Sequence, residues 1–152
     1  MTAREFDVVI IGAGVIGHSI AFKLKKAEPD LRVAVLGDPM NSLMASRAAA
    51  GMLAPFAECD HDDRFFRFCR ESLGKYPAFV RDVVEASGVE VYLSMSGSIM
   101  PFNLVADHWD ARLQFFRQAG VPHEVWSVTE VRKKLPYLSE RCGEAIWVGV
   151  GQ

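Results

Sequence analysis

The sequence predicts an α/β protein that opens on a βαβ unit and continues into helices and short antiparallel strands. Three observations predict it. "DVVII" (Asp7–Ile11) is a short β-branched run that ends at glycine. "VIGHSIAFKLKKA" (Val15–Ala27) repeats apolar residues at helical steps, and "LRVAVL" (Leu31–Leu36) is a second short apolar run. Strand, helix and strand in that order begin a parallel sheet.

The helix of this unit places Ile16, Ile20, Leu24 and Ala27 on one face. Beyond a run of small residues, Asp62 or Asp63 is positioned to cap a long helix carrying Phe65, Phe68, Cys69, Leu73, Tyr76, Val80 and Val83 at three- and four-residue steps. Pro77 should kink that helix or divide it. "VEVYL" and "GSIMPF" read as a strand pair, "VADHWDARLQFFRQAG" as a helix ended by Gly120, and "HEVWS" as a further strand. Ser127 and Glu130 have capping-box spacing for a short helix through Leu135, stopped by Pro136. "AIWVGV" is the last strand.

Length and composition bound the possibilities. A chain of 152 residues is long enough for one independent core, burying roughly 70% of its unfolded surface. Half the residues are hydrophobic, 24% are charged and the formal net charge is −2. That balance suggests neither a nucleic acid nor an anionic membrane as partner. Cys59, Cys69 and Cys142 form no CxxC pair and leave one over, which argues against a disulfide framework or a structural zinc site and for a cytoplasmic setting. The apolar run Val8–Ile16 follows acidic residues, is broken by glycines and is too short to span a bilayer, so no export signal and no membrane span are read from it.

"VVIIGAGVIG" sets Gly12, Gly14 and Gly17 in GxGxxG spacing between the first strand and the first helix. In that context Gly12 permits a tight turn, Gly14 lets a pyrophosphate approach the backbone, and Gly17 lets helix and strand pack closely. The helix start offers unpaired N–H groups and a positive dipole end to phosphates. A ligand-free glycine turn is the alternative reading. A dinucleotide site also wants an acid at the end of the second strand for the adenosine ribose. Here Gly37 stands where many such proteins have glutamate, and Asp38 follows; Asp38 is either the ribose ligand or an ordinary turn residue before Pro39. The glycine spacing alone serves a nicotinamide dehydrogenase equally well.

"FDVVIIGAGVIGHSIA", "AVLGDP" and "ASRAAAGMLAPFAE", in this order and spacing, resemble the flavin-dependent family that contains glycine oxidase, sarcosine oxidase and D-amino acid oxidase. Glycine oxidase is the nearest likeness in the third segment. The resemblance implies an incomplete Rossmann-like FAD-binding βαβ unit plus part of an antiparallel-sheet (α+β) substrate domain: residues 1–58 starting the FAD-binding domain, 59–88 a helical connection, and 89–152 a truncated part of the substrate domain. It also implies FAD contacts. Val15 and Ile16 would offer helix amides, while Ala45 and Ser46 would face the pyrophosphate. Backbone at Ala48, Ala49, Ala50 and Gly51 would approach the ribityl chain and flavin, with Met52 near the ring. Gly37 departs from the commoner glutamate, but D-amino acid oxidases also carry a small residue followed by aspartate, so Asp38 fits that branch. Arg47 is given no role.

The implied reaction is oxidation of an amine or amino acid by hydride transfer to the flavin. Family members exceed twice this length, and the arginine that clamps an amino-acid carboxylate comes from sequence beyond position 152. No catalytic residue is therefore named. A two-stranded start would expose a sheet edge and an apolar face, so the expectation is a fragment, a truncated product, or one subunit completed by another chain or oligomer. The rival function is a noncatalytic subunit or remnant acting through a partner chain.

The remaining clusters have plainer readings. "CDHDD" (Cys59–Asp63) lacks a second ligand cluster and reads as a solvated helix cap rather than a metal site. "RFFRFCR" (Arg64–Arg70) reads as an amphipathic helix, not a nucleic-acid surface. His18 reads as a helix surface or packing residue, and His108 and His123 lack a nucleophile arrangement.

Overall fold

The computed structural model describes residues 5–38 and 44–150. The chain divides into two compact units, Met1–Met52 and Leu53–Gln152. The architecture is α/β, with a parallel sheet in the first unit and an antiparallel sheet in the second.

In the first unit, β1 (Val8–Ile11) and β2 (Val33–Leu36) pair in parallel with Val8 opposite Val33 and Ile11 opposite Leu36. The crossover is α1 (Val15–Ala27). The ladder runs one step past the strand, since the Gly12 N–H donates to the Leu36 carbonyl at 2.7 Å, and this fixes where the glycine turn begins. Gly17 is the buried residue of α1, with Ala21 and Leu24 half-buried, whereas Ile16 and Ile20 are exposed. The apolar face expected from spacing is thus rotated, because Gly17 sits against the turn and draws the helix down on its own side. Among the described residues this sheet has two strands, and the alternate side chains Val9 and Ile11 are exposed, Ile11 to 90%.

At the opposite end of the strands, Asp7 and Arg32 close the sheet. Arg32 Nη2 and Nε donate to the two Asp7 carboxylate oxygens at 2.8 and 3.1 Å, and the Arg32 N–H donates to Oδ2 at 2.8 Å. These hydrogen bonds hold the Asp7 carboxyl down to about 2.

The second unit has a sheet ordered β3 (Ser98–Pro101), β5 (Ala145–Val148), β4 (His123–Trp126), antiparallel throughout. Helices α3 (Pro55–Glu58), α4 (Arg64–Ser87) and α6 (Trp109–Gln118) contribute Phe56, Phe66, Leu73, Phe115 and Phe116 to a core shared with Met100, Ile146 and Val148. Phe66 meets Phe115 edge-on at 5.0 Å. The alternate residues Trp126, Ala145 and Trp147 pack with Val131 of α7 (Val128–Lys134) and with Leu135. Central strand β5 is therefore covered on both faces.

Three expectations need correction. "VEVYL" is not a strand: β3 pairs with β5, and Tyr92 is 92% exposed. Its alternation has the right period but finds no sheet edge. The stretch from Val105 to Gly120 is not one helix: α5 (Phe102–Val105) and a 3₁₀ turn (Ala106–His108) precede α6. Of the two outcomes expected of Pro77, division does not occur, since α4 runs unbroken for 24 residues; the proline removes the N–H that would meet the Leu73 carbonyl. The Ser127–Glu130 capping box is formed in both directions.

Two outcomes follow from this packing. Phe116→Ala, at a ring with 0% exposure, is expected to destabilise the second unit by about 3–5 kcal/mol in urea unfolding. For Asp7 the depressed pKa means that its contribution is fully present above the ordinary value of 3.8 and is lost as pH falls through about 2. Asp7→Asn is expected to remove that part of the acid dependence, measured as the difference in unfolding midpoint between pH 5 and pH 2.

Candidate functional site

The candidate site grows from the turn between β1 and α1. Gly12 adopts φ +116°, a conformation that side chains other than glycine's rarely take. Gly17 lies so close to the turn that a β-carbon there would sit 1.9 Å from the Gly12 carbonyl oxygen. Only a bare α-carbon allows α1 to start at this point, and its start aims the N–H groups of Ile16 and Gly17, which have no helical acceptor, into the turn. Lys25 and Lys26 in the last turn complement the opposite end of the helix dipole.

Two distant segments press on this turn. A β-carbon on Gly37 would fall 2.7 Å from the Ala13 nitrogen and 2.8 Å from its Cβ. The glycine just past β2 is a consequence of that contact. The first acidic residue past β2 is Asp38, which is exposed. From the other side, α2 (Ala45–Ala48) brings Ser46 onto the helix start. The Val15 N–H donates to Ser46 Oγ at 2.9 Å, and a β-carbon on Gly14 would approach the same oxygen at 3.0 Å. Gly14 is the N-cap of α1 and supplies no side-chain cap, so Ser46 fills that role from 31 residues away.

The structure therefore brings Gly12, Gly14, Val15, Gly17, Gly37 and Ser46 together. Ala45 opens α2 on an exposed position, and Ile16 is exposed at the mouth of the turn. Ala48, Ala49, Ala50, Gly51 and Met52 are all exposed, Met52 to 71%. Gly51 has φ +75°, and a β-carbon there would meet no other atom of the chain within 4 Å, so its backbone conformation rather than packing within the chain calls for glycine. Sequence reasoning missed the Ala13–Gly37 contact and the capping by Ser46, because both join residues far apart in the chain. It also missed the Asp7–Arg32 pair, whose only signal was opposite charges immediately before two successive strands. His18 Nδ1 lies 3.0 Å from the Gly14 carbonyl oxygen on the exposed side of α1.

The cradle is one that β-carbons would fill, lined by backbone N–H groups at a helix start and open to solvent. It suits a diphosphate, with an exposed run of small residues leading away from it.

Comparison with known proteins places this geometry in context. Residues 7–152 match the family model described as FAD dependent oxidoreductase. The glycine oxidase of Bacillus subtilis (strain 168) is 34% identical over 137 residues, covering 90% of this chain and 36% of the relative. The glycine oxidase of Bacillus licheniformis is 38% identical over 88 residues, covering 58% of this chain and 23% of the relative. The crystal structure of glycine oxidase from Geobacillus kaustophilus superposes with a TM-score of 0.85 at 29% identity, covering 97% of this chain and 40% of that one. The chain thus spans well under half the length of these relatives.

Substitution at Gly17 tests the cradle directly. Gly17→Ala puts a methyl group into the Gly12 carbonyl and is expected to cost the first unit about 1–3 kcal/mol or more. Gly51→Ala, by contrast, leaves the cradle in place and costs only the strain of its positive φ. Urea unfolding followed by amide exchange in Val8–Ala27 checks the ranking.

Proposed function

Because the chain belongs to the FAD dependent oxidoreductase family, we propose that its first unit holds FAD and serves an oxidoreductase of glycine oxidase type acting on an amine or amino acid. The single observation that carries the reading is the cradle at Gly12–Gly17, closed by Gly37 and Ser46 and continued by the exposed segment Ala48–Met52.

The residues divide the cofactor between them. Gly14 leaves room for the pyrophosphate beside the turn that Gly12 permits, Gly17 lets α1 start close enough for the Ile16 amide to receive its charge, and Val15 acts through Ser46, to which its N–H is already donated. Ser46 accepts from Val15 through its oxygen, so its hydroxyl proton is available to a phosphate oxygen. Asp38, just beyond Gly37, takes the adenosine ribose hydroxyls. Ala45 stands on the pyrophosphate side, while Ala50 and Gly51 lie along the ribityl chain and Met52 beside the ring. When bound, FAD would supply the oxidant for loss of a hydride from the carbon next to the amine. The protein binds and orients; loss of hydride from a neutral amine needs no protein base at carbon, and no catalytic residue is assigned to this chain.

The exposed Val9 and Ile11 on β1 favour completion by further strands, from more of the same polypeptide or from a complementing chain. That feature also supports the second reading, a noncatalytic subunit acting through a partner. Among the described residues no helix is long and apolar enough to cross a membrane; the three free cysteines favour the cytoplasmic setting read from the sequence.

Isolation of the native polypeptide carrying this sequence, with fluorescence of the cofactor released by heat, is the test. Flavin, together with hydrogen peroxide formed on addition of glycine or another small amine, is the expected result. Flavin without amine-dependent peroxide favours the noncatalytic subunit, and nicotinamide or no cofactor contradicts the assignment. Ser46→Ala is expected to weaken FAD about tenfold, the effect of losing a hydrogen bond of ~1.5 kcal/mol.

A further inference from the structure

The segment between α3 and α4 carries a histidine with both ring nitrogens against carboxylates. His61 Nδ1 meets Asp60 Oδ1, and Nε2 lies 3.2 Å from Asp63 Oδ2. Carboxylates only accept, so both contacts are hydrogen bonds only when both nitrogens carry protons. The neutral ring donates from one nitrogen and turns a lone pair toward the other carboxylate. Asp63 is also the N-cap of α4, its Oδ1 accepting from the Phe66 N–H at 2.7 Å. One carboxylate thus links the imidazole to the first turn of the long helix.

The surrounding charges come from three elements. Asp62 is engaged by Arg67 of α4, whose Nε donates at 2.8 Å. Glu58 at the end of α3 adds negative charge beside the loop. The hydrogen bond with His61 is the main cause that holds the Asp60 carboxyl below its ordinary value, and the charge of Arg112 of α6 adds a smaller pull; Arg112 Nη1 donates to the Ala57 and Cys59 carbonyls at 3.0 and 3.4 Å. Among the described residues, Asp60 and Asp63 are the carboxylates in direct contact with the imidazole.

We propose that His61 is a proton-operated latch on α4, tying Asp60 to the capping residue Asp63 when protonated and releasing the loop when neutral. The Asp60 hydrogen bond, then the charges of Asp60 and Asp63, raise the His61 pKa above its ordinary 6.5. The stabilisation is therefore complete below 6.5 and is lost as pH rises through the folded-state value. All three side chains are solvent-exposed, so the effect is local to the loop and the first helical turn. The latch is independent of any cofactor.

NMR titration of the 152-residue chain from pH 5 to pH 9 tests it. The His61 ring signals are expected to titrate with a midpoint above 6.5, and the Phe66 amide signal is expected to move with the same midpoint. Asp60→Asn and Asp63→Asn should each lower that midpoint, asparagine at 63 retaining the ability to cap, and His61→Gln should leave Phe66 flat. A midpoint at or below 6.5, a Phe66 amide that does not respond in the parent chain, or a response that persists in His61→Gln overturns the latch.

Discussion

The absence of a β-carbon at Gly17 governs the first unit. With any other residue a side chain would stand 1.9 Å from the Gly12 carbonyl, and α1 would have to lift away from the end of β1. Because it does not, the helix starts directly over the turn and its unpaired N–H groups converge on one small volume. The other contacts at the site follow from this closeness. Gly37 can pass beside Ala13 only as glycine, and Ser46 reaches the helix start over a Gly14 that has no side chain to block it.

These contacts give the family assignment a physical content. A diphosphate needs donors and room, and both are supplied here by backbone and by missing side chains rather than by cations. Met52 and the alanines before it are exposed, which leaves an apolar strip uncovered beside the turn.

How much of this was legible depended on the range of each interaction. The glycine spacing, a cap at Asp62 or Asp63 and the Ser127–Glu130 box are written in a few adjacent residues and are legible in the sequence, although only the structure decides the cap in favour of Asp63. The Ala13–Gly37 contact and the Ser46 cap bridge about 24 and 31 positions, and neither leaves a local pattern. "VEVYL" had strand periodicity without a partner, and periodicity reports a preference for one face, not the presence of a sheet edge. The antiparallel sheet itself was anticipated, but the central place of β5 was not. Its burial on both faces requires Phe116 on one side and Trp126 with Val131 on the other, all distant in sequence.

The central claim is that the Gly12–Gly17 turn and the Ala48–Met52 segment receive one extended dinucleotide. Amide hydrogen exchange of the chain with and without added FAD tests it most directly. The account predicts slowed exchange at Val15, Ile16 and Gly17 and, in the same titration, at Ala50, Gly51 and Met52. Binding of FAD that leaves both segments unchanged, or protection confined to Leu53–Gln152, would contradict it.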